Sequence, residues 1–345
     1  MRSSLLFLLL TAVPAAAQYN GPESVEYDPV GDRYFVSNTA ASVIRVRSQA
    51  GDVSDFASVS PAPYGLEIMG DVLYACSGGS VKGYSLATGA QVFNRSLGGS
   101  FLNGITTDGQ YLYVTDFPAA AQRIYKVDPV ANTHTTLVAN TGGQPNGIVW
   151  DSVGNRLVVV FWGANAPIKS YDRDTGASAT LVANTGLTQI DGVTIDCLGR
   201  FLVASWSPDR ITQYEPTFSA PGVDLAVPGL NNPADIDFDA VNHRVCIPNS
   251  GNNTVTLFDI DCSLGVDPAP RGGALKAVPN PTMGLVRIEP ALQRDEPYLL
   301  LDARGLLVGG GTIRQGAMLD ISRIPAGLYT IEFTRLKQRI RVLKE

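Results

Sequence analysis

Pro145-Asn146-Gly147-Ile148-Val149-Trp150-Asp151, followed by Arg156-Leu157-Val158-Val159-Val160, returns 45 residues later as Ile190-Asp191-Gly192-Val193-Thr194-Ile195-Asp196, followed by Phe201-Leu202-Val203-Ala204. Each copy reads as a short apolar strand, an acidic residue, a turn and a second apolar strand. The same unit starts at Pro22-Glu23-Ser24-Val25, Pro63-Tyr64-Gly65-Leu66, Leu102-Asn103-Gly104-Ile105 and Pro233-Ala234-Asp235-Ile236. Successive copies stand 41, 39, 43, 45 and 43 residues apart. A third strand of alternating character follows each pair, at residues 44–46, 81–84, 124–127, 168–171, 211–214 and 255–258, and a fourth is visible at 136–138 and 180–182. Four short strands in such a period make a propeller blade, and a unit this small cannot bury a core alone. The expectation is an all-β chain: a six-bladed β-propeller over residues 18–265. The sixth copy has no obvious fourth strand. Residues near the N-terminus or the segment after Cys262 must complete it.

The flanks have a different character. Arg2, the apolar run 5–13 and Ala15-Ala16-Ala17 read as a signal peptide over residues 1–17, with the mature chain beginning near Gln18. No later run is long and apolar enough to span a bilayer. From Arg271 onward the net charge is +5, against −11 for the rest, which places a domain boundary near residue 270. A linker over 266–274 and a separate domain over 275–345 follow from this. That last segment reads as five or more short strands with Gly turns, an Ig-like β-sandwich. An acidic propeller is poorly suited to nucleic acid. In an oxidising compartment the four cysteines Cys76, Cys197, Cys246 and Cys262 allow two disulfides. Cys262 can pair with Cys246 or with Cys197, and free buried thiols are equally acceptable.

Register within the repeat locates a candidate site. The innermost strand of every blade runs along the channel, so equivalent positions at its start face one mouth. Those positions hold Glu23, Tyr64, Asn103, Asn146, Asp191 and Ala234. Four of the six carry carboxylate or amide oxygens, which suit Ca²⁺, with Mn²⁺ or Zn²⁺ as alternatives. Asn and Asp before Gly are also ordinary turn residues, a description that Glu23 before Ser24 does not fit. A cation held by Glu23, Asn146 and Asp191 would polarise a carbonyl. With Asp191 as base and Asn103 near the substrate, hydrolysis of an ester or lactone becomes reasonable chemistry.

These residues resemble the regucalcin, gluconolactonase and strictosidine-synthase-like family of six-bladed propellers over about residues 20–262. The segment Ile190-Asp191-Gly192-Val193-Thr194-Ile195-Asp196-Cys197-Leu198-Gly199-Arg200 is similar to the family's metal-binding aspartate segment. Asn146 in Pro-Asn-Gly matches its metal-binding asparagine, Glu23 its metal-binding glutamate by its spacing from Tyr27, and Asn103 an asparagine near metal and substrate. The strand pattern is shared with non-catalytic propellers of NHL-type repeats. The C-terminal segment has its own resemblance. Val278-Pro279-Asn280-Pro281-Thr282-Met283-Gly284, Leu300-Leu301-Asp302-Ala303-Arg304-Gly305, Leu319-Asp320-Ile321-Ser322-Arg323-Ile324-Pro325-Ala326-Gly327-Leu328-Tyr329 and the basic ending are similar to the sorting domain of type IX secretion cargo. That likeness implies export through the periplasm and across an outer membrane, to the cell surface or the medium, with the secretion machinery as partner.

The remaining chemistry is sparse. His134 and His243 are the only histidines and fall on an outer strand and in a hairpin turn, so a His-based triad is not expected. Trp150 reads as core, and Trp162 and Trp206 read first as packing between blades and second as the edge of a cleft. Asn38, Asp116 and Asn249 end second strands on one rim, as turn caps or as neighbours of the cation. Two functions follow: a metal-dependent lactone or ester hydrolase, and a non-catalytic surface propeller that binds a protein or glycan.

Overall fold

The computed structural model describes residues 18–262, 275–292, 294–303, 306–336 and 338–345. The expected signal peptide and linker lie outside the described residues. The chain divides into two compact units, Met1–Cys262 and Ser263–Glu345.

The first unit is a series of antiparallel sheets in which consecutive strands pair in chain order. Sheet 1 comprises Pro22–Asp28, Arg33–Asn38, Val43–Ser48 and Val53–Ser58; sheet 2, Pro63–Met69, Val72–Ser77, Ser80–Ser85 and Gln91–Ser96; sheet 3, Leu102–Thr107, Leu112–Asp116, Arg123–Asp128 and Thr133–Val138. Sheet 4 comprises Gln144–Asp151, Arg156–Trp162, Ile168–Tyr171 and Ser178–Val182, and sheet 5, Thr188–Ile195, Phe201–Ser207, Asp209–Tyr214 and Val223–Asp224. Sheet 6 has three strands among the described residues, Asp237–Asp239, Arg244–Asn249 and Thr254–Asp259. Second strands are buried almost throughout, Leu157–Phe161 and Phe201–Ala204 among them, because a sheet lies against each of their faces. This is a propeller-like, all-β repeat architecture.

The recurring acidic residue at the end of the inner strand has a local purpose. Asp28, Asp108, Asp151, Asp196 and Asp239 each accept two or more hydrogen bonds from the hairpin that follows, as Asp151 does from Gly154 N (2.8 Å) and Arg156 Nε (2.9 Å). They satisfy the turn's backbone donors and so fix the register of the buried second strand.

A belt of side-chain-to-backbone bonds ties the inner strands to one another. Glu26 accepts from Ile68 N (2.9 Å), Thr106 from Trp150 N (3.1 Å) and Asp237 from Tyr27 N (2.9 Å). The last of these joins sheet 6 to sheet 1. The same junction carries a parallel bridge between Ser24 and Asp235, with Asp235 N donating to Glu23 O at 2.8 Å. Tyr19 packs there against Val25, Cys246, Val255 and Leu257. Cys197 and Cys262 form a disulfide between the inner hairpin of sheet 5 and the chain just beyond sheet 6, while Cys76 and Cys246 are free, buried thiols.

The second unit has a three-stranded sheet (Lys276–Val278, Leu285–Glu289, Leu319–Asp320) and a four-stranded sheet (Leu307–Ile313, Glu296–Leu301, Gly327–Phe333, Gln338–Lys344). Val286, Ile288, Leu300, Ile331, Phe333 and Val342 from both sheets share one core, a small sandwich-like arrangement. Among the described residues no helix is long and apolar enough to cross a membrane.

Candidate functional site

Each site position sits in a β-bulge. In sheets 1 to 5 the pairing of inner and second strand slips at the same place. Two inner-strand residues, Glu23-Ser24, Tyr64-Gly65, Asn103-Gly104, Asn146-Gly147 or Asp191-Gly192, oppose one residue of the second strand. A bulge turns its first side chain away from the regular alternation, and here all five first residues line a single cleft of about 370 Å³.

The second bulge residue explains the recurrent glycine. The turn interpretation of Asn-Gly and Asp-Gly does not hold, because these glycines lie within strands and have no positive φ. A Cβ on Gly104 would come within 2.4 Å of Asn146 O, on Gly147 within 2.7 Å of Asp191 O, and on Gly192 within 2.6 Å of Ala234 O. Glycine is needed because the next inner strand approaches too closely for any side chain. Sheet 1 carries Ser24 instead, whose hydroxyl donates to Asp235 Oδ2 (2.9 Å) and accepts from Leu66 N (3.1 Å).

Close packing of the strands brings the polar side chains together. Asn103 Nδ2 donates to Asn146 Oδ1, and Asn146 Nδ2 donates to Asp191 Oδ1 at 2.9 Å. Asp191 is buried, and loss of water, then the nearby negative charges of Glu23 and Asp235, hold its carboxyl well above the usual range. Burial likewise pushes Glu23 up to about 7. Glu23 retains some solvent contact through the cleft while being surrounded by protein. The lining residues include no Lys, Arg or His, so nothing positive offsets the two carboxylates. Ala234 is fully buried and has no polar side chain.

The oxygens present are a hard-donor set, two carboxylates and two amides, of the kind that suits an alkaline-earth or manganese ion. Among the described residues no group of three or more His, Cys, Asp and Glu side chains is arranged to hold a metal; this set depends on its amides.

The cleft wall is aromatic. Tyr64 and Phe101 have ring centroids 4.5 Å apart, Phe101 and Phe117 5.5 Å, Phe117 and Trp162 5.9 Å, and Trp162 and Trp206 4.9 Å, all edge-to-face. All five rings are half-buried and line the cleft. Trp162 and Trp206 therefore edge the cleft, contrary to the first expectation of packing between blades. The Trp206 indole N–H is shielded from water and makes no well-formed hydrogen bond, though it lies near enough to Asp191 to favour its carboxylate. Trp150 is only half-buried, with the Arg173 guanidinium 5.0 Å from its ring centroid.

The rim residues act as caps. Asn38 Oδ1 accepts from Asn20 N (2.9 Å), Asp116 Oδ1 from Phe101 N (3.2 Å), and Asn249 Oδ1 from Asn231 N (3.1 Å). They hold the segment that leads into each inner strand. His134 sits on the outer strand of sheet 3, accepting from Arg95 Nε at 3.1 Å, and His243 occupies a turn at φ 55°. Phe117, Trp162 and Trp206 occupy one repeat position, each one residue beyond the second-strand partner of the residue that precedes the inner strand's bulge.

No family model matches the chain, and no curated protein matches it. Solved structures do. A hydrazine synthase chain of Kuenenia stuttgartiensis aligns with TM-score 0.56 at 18% identity, covering 74% of this chain and 80% of that one. A putative gluconolactonase aligns with TM-score 0.55 at 17% identity, covering 71% and 92%. A chain of a nidogen–laminin complex aligns with TM-score 0.52 at 19% identity, covering 66% and 92%. At these identities the likeness is one of fold, shared by enzymes and by a binding protein alike.

Proposed function

We propose that the six sheets close into a six-bladed propeller, and that one channel mouth is a divalent-cation site for hydrolysing a small lactone or ester. The observation that carries this is the pair Glu23 and Asp191, desolvated in one cleft with no positive side chain among its lining residues. Uncompensated buried carboxylates are costly, and a bound cation is what relieves them. Glu23, Asn146 and Asp191 would hold the ion, with calcium the best match and manganese or zinc as alternatives. Such an ion supplies Lewis acidity toward a carbonyl and lowers the pKa of bound water. Asp191 takes the proton of the attacking water, and Asn103, hydrogen-bonded to Asn146, orients the substrate. The fold shared with a putative gluconolactonase agrees with this reading.

The same proposal makes residues 1–17 a signal peptide, 18–265 the propeller, 266–274 a linker and 275–345 a type IX sorting domain, in a secreted or surface-bound protein. The test is calorimetry of the full mature chain with Ca²⁺, Mn²⁺ and Zn²⁺, together with a panel of lactones and esters. One binding site that Asp191→Ala removes, and turnover abolished by a chelator and restored by the ion, are expected. Ion binding without turnover on any ester or lactone would favour the non-catalytic alternative, a propeller that binds a protein or glycan. No heat of binding with any of the three ions sinks the cation site.

A further inference from the structure

Pairing registers identify a second repeat position at the same mouth. The residue preceding each bulge pairs with a fixed second-strand residue: Pro22 with Asn38, Pro63 with Ser77, Leu102 with Asp116, Pro145 with Phe161, Ile190 with Ser205 and Pro233 with Asn249. One step further along the chain gives Thr39, Gly78, Phe117, Trp162, Trp206 and Ser250. This collar is divided. Sheets 3, 4 and 5 contribute large aromatic rings, while sheets 6, 1 and 2 contribute residues with little or no side chain. Five of the six collar residues line the cleft, Gly78 being the exception.

The aromatic half does not collapse into the core. Its rings stand edge to face at 4.9 to 5.9 Å, half-buried, and Phe101 and Tyr64 extend the row to sheet 2. Keeping five aromatic side chains half-exposed around a polar floor forgoes burial that a closed core would provide. The cleft they wall on one side, about 370 Å³, is of a size that admits one small molecule. Without an ion the floor is acidic and the lining carries no Lys, Arg or His, so an anionic ligand meets repulsion without a partner in the ion-free protein.

We infer that the ligand of this mouth is a small, non-anionic molecule with an aromatic or comparably flat ring, seated against Phe117, Trp162 and Trp206. Its carbonyl end reaches Asn103 and Asp191. The small residues of sheets 6, 1 and 2 leave the opposite side of the mouth open for it to enter. This assignment of ligand class rests on the cleft being the binding site proposed above; its preference for the ring does not depend on whether an ion is bound or a bond is cleaved.

Lactams test it without turnover. Calorimetry on the full chain compares 5-phenyl-2-pyrrolidinone, plain 2-pyrrolidinone and the anionic 5-oxoproline, with and without Ca²⁺. The phenyl compound is expected to bind at least about tenfold more tightly than the plain ring in both arms, and in the ion-free arm the anion more weakly than either. Trp162→Leu should lose most of the phenyl gain and Trp162→Phe keep most of it, both with Ca²⁺ affinity unchanged; the Phe variant guards against mistaking misfolding for lost recognition. Equal affinity for the three lactams, or a phenyl gain that survives Trp162→Leu, overturns the inference. Failure of Ca²⁺ binding with the phenyl preference intact would sink the cation reading and leave this one standing.

Discussion

At the scale of single residues, the unusual feature is a carboxylate placed where its charge is unwelcome. Burial, then Glu23 and Asp235, push the Asp191 carboxyl well above its usual range, with Asn146 and the nearby Trp206 indole opposing this. Replacing it with the isosteric, neutral Asn removes the charge while keeping the shape. Asp191→Asn is expected to abolish cation binding and at the same time to raise the melting temperature of the ion-free protein. A variant that loses both binding and stability would mean that the carboxylate is a structural partner instead. Ion binding must also displace protons, since Glu23 sits near 7. Titration with Ca²⁺ at pH 7 should therefore release protons, about half of one from Glu23 and the remainder from Asp191, seen as a heat that changes with the buffer's ionisation enthalpy. A buffer-independent heat would show both groups already ionised.

At the scale of strands, bulge and hairpin make different contributions that two substitutions separate. Gly147→Ala drives a methyl group to 2.7 Å from Asp191 O and 3.0 Å from Gly192 Cα. That pushes apart the strands that carry Asn146 and Asp191, so it should cost about 1–3 kcal/mol of stability and weaken cation binding. Asp151→Ala removes the acceptor of Gly154 N and Arg156 Nε at the far end of the same strand. Its expected loss is also about 1–3 kcal/mol, with cation affinity unchanged. If both variants bind the ion normally, strand spacing does not govern the site. The strands themselves were legible, because apolar runs, acidic hairpin residues and the repeat period are local signals. The bulges were not. A bulge is a relation between two strands, and Asn-Gly reads as a turn until the neighbouring backbone is seen to occupy the space of a Cβ. Trp162 and Trp206 read as a cleft edge only as a second choice for a similar reason: they become equivalent to Phe117 only once pairing registers align the second strands.

At the scale of the molecule, carboxyl groups gather between the inner strands of neighbouring sheets. Glu26 of sheet 1, Glu67 of sheet 2, Asp237 of sheet 6 and Asp235 just before it act on one another, each neighbour's negative charge raising the others. Burial, the largest cause in each case, raises Asp235 to about 8 and Asp237 to about 6, and holds Glu26 and Glu67 well above the ordinary glutamate value. Two of these groups also bond the next inner strand, Glu26 to Ile68 N and Asp237 to Tyr27 N, so the charged column is part of what links neighbouring sheets. Between the ordinary carboxylate values near 4 and these raised ones, the folded chain binds more protons than the unfolded chain. Its stability must then fall as pH rises from about 4 to about 8, the reverse of a protein held by ionised salt bridges. Below that window the groups are protonated in both states and the effect vanishes. Asp108, which its turn and Arg173 hold below the usual range, acts in the opposite sense and loses its contribution only as pH drops toward that lowered value. Melting the full chain in chelator from pH 5 to pH 8.5 should show a steadily falling transition temperature. Ca²⁺ should restore the share that belongs to Glu23 and Asp191 and leave the slope due to the deeper four. A transition temperature that rises over this range would mean that the channel carboxylates ionise freely, and the account of the column as a proton-sharing element of the fold would be wrong.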